Sequence, residues 1–269
     1  MVNKKKLRIA LIFGGRSGEH EVSLMSARSV LSVLDPAKYE VTQVGITLEG
    51  QWLTGEDVLG KFEKGIFDSL EPAVISPDPS HGGVFVLRDK QIEKASDIDV
   101  FFPLMHGTFG EDGTIQGLFE MANVAYIGAG VVGSAVGMDK GIFKDVMRTN
   151  NIPTVESVFV SRSEIEKDIN AVIGKAEKIS AYPIFTKPAN LGSSVGVTKC
   201  HSRSDLQEGL MEAALYDRRV LMEHGVANAR EIEISVLGND DPHASVPGEV
   251  LPSREFYSYE SKYVDGTSG

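Results

Sequence analysis

Three glycine-bearing loops hold most of the residues in this sequence that could do chemistry. The first is Gly14-Gly15-Arg16-Ser17-Gly18-Glu19-His20-Glu21. Its glycines allow close backbone approach, and a helix starting beyond it would present free N–H groups to an anion. The spacing fails the G-x-G-x-x-G pattern of a dinucleotide site, and Glu19 and Glu21 would repel a pyrophosphate. Those carboxylates suit a ligand carrying an ammonium group. They equally suit a tight turn whose acidic residues complement a helix dipole.

The second loop is His106-Gly107-Thr108-Phe109-Gly110-Glu111-Asp112-Gly113. The apolar run ending at Leu104 puts His106 at a strand's carboxyl end, where open α/β sheets bind ligands. A histidine satisfied inside a turn is the alternative. The third runs from Lys187-Pro188 through Gly192-Ser193-Ser194-Val195-Gly196. Such a turn can offer N–H and hydroxyl donors to phosphates, with the lysine as a point charge. An ordinary hairpin loop is the alternative, and the lysine's placement favours phosphate. Gly55 and Gly60-Lys61 have P-loop spacing, but Phe62 stands where Ser or Thr should hold magnesium. Lys140, Glu223, Lys262 and Tyr263 are bland when taken singly. Cys200 has no activating motif around it and reads as buried filler.

Elements must position these loops. Residues 7–13 read as a buried strand, 22–34 as a helix and 41–46 as a second strand, a unit that argues for an α/β domain with parallel strands. Residues 50–95 are less regular and read as an insertion with short strands at 52–53 and 84–87. A buried strand at 99–104 follows, then a helix at 114–122 and a short strand at 125–127. A long helix is expected over 134–150. Beyond it come strands at 155–160, 183–187, 195–199, 220–223 and 231–237. Ser163-x-x-Glu166 fits a capping box, and Ser204-x-x-Gln207 opens a further helix. The fold class is α/β, an open parallel sheet domain followed by smaller α+β subdomains. Boundaries are expected at 1–133, 134–222 and 223–269, the last subdomain being incomplete.

The chain has 269 residues, 42% of them apolar and 24% charged, which is globular composition. Its net charge of −11 argues against nucleic acid and anionic membranes as partners. With Cys200 the single cysteine, no intrachain disulfide can form, which fits a reducing compartment. Lys4–Lys6 before an apolar stretch faintly suggest a signal peptide. The stretch is short, Arg8 interrupts it, and no cleavage site follows. No apolar run approaches the ~18 residues that span a bilayer.

In this order the pieces resemble the D-alanine–D-alanine ligases, ATP-grasp enzymes of peptidoglycan synthesis. The matching stretches are Phe13 to Ser23, His106 to Gly117, Met138-Asp139-Lys140, Lys187-Pro188 with Gly192 to Gly196, and Tyr257 to Tyr263. The resemblance implies that Glu21 binds the ammonium of the first D-alanine and forms a closing triad with Ser193 and Tyr263. His106 would lie by that substrate's carboxylate. Lys140 and Lys187 would contact ATP phosphates, and Lys262 would approach the γ-phosphate. Glu223, His224, Gly225 and Val226 would line the adenine pocket, with Glu231 on the ribose. The stretch from Val226 to Glu231 is one residue longer than the family's usual spacing.

The resemblance also implies ATP with Mg2+ or Mn2+, D-alanine as the partner molecule, a homodimer and a cytoplasmic location. The family's metal ligands and the arginine for the tetrahedral intermediate are expected beyond Gly269. The 269-residue chain alone is therefore expected to be inactive or nearly so. Tyr263 argues against a D-alanine–D-lactate ligase. A non-catalytic nucleotide- or amino-acid-binding module is the reading from another class.

Overall fold

Apolar side chains alternate sides along the first strand, and the first half of the fold grows from that alternation. A computed structural model describes residues 5–251. Contacts divide the chain into two units, Met1–Asp139 and Lys140–Gly269.

In the first unit the order is β1 (Leu7–Gly14), α1 (His20–Val33), β2 (Tyr39–Ile46), β3 (Trp52–Thr54), α2 (Val58–Phe62), β4 (Glu71–Val74), β5 (Val84–Arg88), β6 (Gln91–Ser96), β7 (Val100–Pro103), α3 (Thr114–Met121) and α4 (Val131–Met138). One seven-stranded sheet runs β6-β5-β4-β3-β2-β1-β7. β1 pairs in parallel with both β2 and β7. Ala10 and Ile12 join Phe101 and Phe119 on one side of β1. Leu11 and Phe13 join Leu24, Val58 and Phe62 on the other. Both flanks of β1 are thus buried, as its continuous apolar run requires.

The stretch read as an insertion, 50–95, is part of this sheet. Its strands β3 to β6 extend the β2 edge by antiparallel pairing. β3 and β5 match the short strands expected at 52–53 and 84–87, whereas β4, four residues with a proline, and β6, a mostly exposed polar run, carry no apolar period. The short strand expected at 125–127 is a single parallel bridge between Tyr126 and Phe101. The long helix expected over 134–150 is two helices. Asp139, with an extended ψ of 102°, breaks it between the units.

The second unit holds α5 (Lys140–Thr149), β8 (Ser157–Ser161), α6 (Arg162–Lys167), α7 (Ile169–Ala176), β9 (Ile184–Pro188), β10 (Thr198–Cys200), α8 (Arg203–Tyr216), β11 (Arg219–His224), β12 (Glu231–Glu233), β13 (Val236–Leu237), β14 (His243–Ala244) and β15 (Gly248–Val250). Its main sheet, ordered β10-β9-β11-β8, is antiparallel throughout. Ile184, Cys200, Val220 and Met222 turn one face of it toward Ile173, Leu206 and Leu210 of α7 and α8. Gly209 allows that approach, because a Cβ there would stand 2.9 Å from the Thr198 Cβ. Cys200 is fully buried, and burial pushes its thiol up to about 11.

Both helix starts sit two residues earlier than the sequence motifs suggested. Ser161 and Glu164 form the capping box of α6, in place of Ser163 and Glu166. Ser202 caps α8 by accepting from the Asp205 N–H at 3.2 Å, in place of Ser204. In each case the chosen serine is the last residue with extended backbone, which an N-cap needs. The strand expected over 231–237 is also broken. β12 pairs with β15 and β13 with β14, leaving Ile232, Ile234 and Val236 exposed. Among the described residues no helix is long and apolar enough to cross a membrane.

Leu210→Ala is expected to cost the second unit about 2–5 kcal/mol, the usual penalty for emptying a closed site. Urea denaturation reads it, and a loss under about 1 kcal/mol would mean that α8 is not packed as described.

Candidate substrate and nucleotide sites

Small hydroxyl side chains stitch the first two loops together. Gly14 and Gly15 leave β1 with φ of 85° and 110°, values that favour glycine. Ser23 on α1 accepts from the Gly14 N–H at 2.7 Å and donates to the Leu104 carbonyl at 2.7 Å. Ser17 donates to the His106 carbonyl at 2.8 Å and accepts from the Glu19 N–H at 3.1 Å. Ser26 Oγ lies 2.9 Å from His106 Nε2. The loop after β1 and helix α1 therefore hold His106 at two points, its carbonyl and its Nε2, and fix Leu104 two residues before it.

Carboxylates surround this histidine. Glu111 accepts from the Gly107 N–H at 2.8 Å and stands 3.8 Å from His106 Nδ1. Partial burial pushes the Glu111 carboxyl above its usual range, and nearby Glu19 and Asp112 add to that against the Gly107 bond and His106. Glu19 is 2% exposed and packs against Gly107, so closely that any Cβ at 107 would collide with it. Glu21, the residue singled out for the ammonium, is exposed on the first turn of α1. A cavity of about 490 Å³ is bordered by Ser26, His106, Glu111 and Gln116.

In the second unit, strand alternation assigns the opposite sheet face to a polar cavity. Lys199 pairs with Phe185, Phe185 with Glu223, and Lys187 with Leu221. Directly paired residues share a face, so Lys199, Phe185, Lys187 and Glu223 all stand on the side away from Leu206 and Leu210. The cavity there measures about 680 Å³. Lys140, Lys187, Ser193, Glu223, His224, Val226 and Glu231 all border it.

Its charges are organised around Glu223. The carboxylate pairs with Lys187 Nζ on one oxygen and with Lys144 Nζ at 2.9 Å on the other. Burial pushes the carboxyl up, but the two ammonium groups outweigh it and hold it below the usual carboxylate range. Lys187 also lies 5.2 Å from the Phe185 ring centre. Lys140 donates from Nζ to the Leu191 carbonyl at 2.5 Å, which ties α5 to the glycine loop. In that loop Ser193 and Ser194 adopt φ of 46° and 60°. Successive residues of this kind turn backbone N–H groups toward a common point, the geometry of an anion nest. Gly225 does not border the cavity. Its N–H donates to the Pro183 carbonyl at 3.0 Å, and a Cβ would stand 2.7 Å from that oxygen. Lys262 and Tyr263 lie outside the described residues.

Two lysines escaped the sequence reading. Lys144 follows Lys140 by four residues on α5, so both fall on one helix face. Lys199 follows Val197 by two, and both border the cavity. Spacing alone could have flagged each.

The relatives of this chain carry the same two-part division. The family model described as "D-ala D-ala ligase N-terminus" matches residues 8–129, and "D-ala D-ala ligase C-terminus" matches 146–269. The D-alanine–D-alanine ligase of Natranaerobius thermophilus is 47% identical over 98% of this chain and 72% of its own length. The chain belongs to the D-alanine–D-alanine ligase family. The ligase of Thermoanaerobacter sp. is 48% identical over 97% of this chain and 72% of its own.

Solved ligases share the fold. The VanG D-Ala:D-Ser ligase of Enterococcus faecalis aligns with a TM-score of 0.79 and 33% identity, over 98% of this chain and 75% of that one. The D-alanine–D-alanine ligase of Coxiella burnetii aligns at 0.76 and 33%, over 91% and 68%. ATP-grasp ligases of this family use ATP with magnesium. Among the described residues no group of three or more His, Cys, Asp or Glu side chains is placed to hold a metal.

Because the Glu223 carboxyl is lowered in the fold, its stabilising effect is complete above the unfolded value of about 4.3 and fades as pH falls through the folded value. Wild type is thus expected to lose stability between about pH 5 and pH 3 more steeply than Glu223→Gln. Denaturation midpoints across that window read it. Parallel slopes would mean the two ion pairs carry no such coupling.

Proposed function

We propose that the chain binds D-alanine at the His106 loop of the first unit and ATP in the lysine-lined cavity of the second. The observation that carries the nucleotide half is the convergence of Lys140, Lys187 and the Ser193-Ser194 turn on one 680 Å³ cavity. Lysines and a backbone nest at a strand end are the means by which proteins hold phosphates. Glu223, His224 and Val226, which border the same cavity, form the base-binding wall, and Glu231 is the ribose ligand. Gly225 stands behind that wall, its N–H tied to the Pro183 carbonyl.

The reaction follows from charge. The carboxylate of one D-alanine attacks the γ-phosphate of ATP, and ADP leaves. The acyl phosphate now carries a good leaving group. The amine of a second D-alanine attacks its carbonyl, and phosphate departs to leave D-alanyl-D-alanine. No enzyme nucleophile is needed. The protein's work is orientation, charge stabilisation and exclusion of water from the acyl phosphate. His106, held by Ser26, donates to the substrate carboxylate.

Glu21, exposed on the first turn of α1, is the group that accepts the ammonium, since Glu19 is 2% exposed and packed against Gly107. Lys262 at the γ-phosphate, the triad of Glu21, Ser193 and Tyr263, the homodimer and the third subdomain from 223 remain proposals from the resemblance. The 47% and 48% identity to two D-alanine–D-alanine ligases supports D-alanine as second substrate.

Calorimetry with ATP, and saturation-transfer NMR with D-alanine, test both halves apart from turnover. Glu21→Gln is expected to weaken D-alanine binding about tenfold or more, the loss of one charge-assisted hydrogen bond. Glu19→Gln is expected to leave it within about twofold. The reverse order would give the role to Glu19.

A further inference from the structure

Glu223 has one more positive neighbour than neutralisation requires. Its two oxygens pair with two different lysines, Lys187 from β9 and Lys144 from α5. The lysines differ in access. Lys187 borders the cavity and its side chain is 24% exposed, whereas Lys144 is absent from the cavity wall and its side chain is 11% exposed. Lys144 is further fixed by donating to the Val155 carbonyl at 3.3 Å. One lysine can reach a ligand and the other is built into the floor.

The consequence appears when phosphate arrives. An anion in the cavity draws Lys187 toward itself. Glu223 would then be a carboxylate with a 10% exposed side chain and no counter-charge, which a protein interior tolerates poorly. Lys144 prevents this. We infer that Lys144 is a positioning residue: it holds Glu223 ionised and in place after the nucleotide takes Lys187, so that the freed oxygen can accept from the base. The inference rests on the reading of this cavity as the nucleotide site.

The other charged groups bordering the cavity are Lys140 from α5, Lys199 from β10, His224 at the end of β11, and Glu231 and Glu233 from β12. From β8, Ser157 stands opposite Glu223 and accepts from Arg148 at 2.8 Å. Lys144 is the only one of these lysines that pairs with Glu223 without also bordering the cavity.

The test is ATP calorimetry on the 269-residue chain at pH 8, in two buffers of different ionisation enthalpy. The proteins are wild type, Lys144→Met, Lys144→Arg, Glu223→Gln and the Lys144→Met/Glu223→Gln pair. Lys144→Met is expected to bind ATP about tenfold more weakly than wild type, the size of a modest coupling between neighbouring charges. It is also expected to take up a proton from the buffer, because Glu223 must neutralise itself once Lys187 leaves. Lys144→Arg is expected to restore the wild-type proton balance. In the Glu223→Gln background, Lys144→Met is expected to cost less than about twofold.

Equal losses in both backgrounds, or no difference in proton uptake, would overturn the inference while leaving the cavity a nucleotide site. Absence of ATP binding by wild type would overturn both. Should Lys144→Met fail to fold, thermal melts of the paired variant decide. Recovery of folding with Glu223→Gln supports the charge argument, and failure of both variants assigns Lys144 a packing role alone.

Discussion

A carboxylate taken out of water must keep positive charge beside it or give up its own charge, and the second unit is arranged around meeting that demand at Glu223. β9 and β11 bring Lys187 and Glu223 to diagonal positions on one sheet face, and α5 delivers Lys144 from above. The opposite face, with Ile184, Val220 and Met222, is committed to the helices α7 and α8. A one-residue slip of β11 would exchange the faces, burying Glu223 in that apolar core and exposing Met222 to the cavity. Register, core and electrostatics therefore specify one another here.

The first unit solves a different problem. Loops at strand ends have few apolar contacts to hold them, so polar groups must. Ser17, Ser23 and Ser26 each bridge to the stretch 104–106, and Arg16 stacks over the Phe109 ring at 4.5 Å while packing on Gly50. Side chains from one loop and the helix after it thus set the positions of two other loops. Ordering a flexible loop before its ligand arrives removes part of the entropy that binding would otherwise oppose.

Long apolar elements and glycine punctuation were legible in the sequence. The parallel trio β2-β1-β7 and the strand–loop placement of His106 and Lys187 follow from them. What stayed hidden was settled by contacts distant in sequence. β4 and β6 carry no apolar period, and they are strands because β3 and β5 offer them edges. The choice of Ser161 and Ser202 as caps turns on which serine keeps an extended backbone. Glu19 and Glu21 look alike in the sequence, and only the packing of Gly107 separates a buried carboxylate from a solvated one. Lys144 was legible as a helix neighbour of Lys140, but its partner Glu223 is 79 positions away.

The solitary thiol has a use that follows from where it sits. Cys200 lies at zero exposure among Leu206, Leu210 and Met222, inside the core of the second unit. A reagent that modifies sulfur can reach it only during excursions that part α8 from the sheet. The rate of its labelling is then a clock for openings of that half of the chain, silent about the other half and needing no engineered probe.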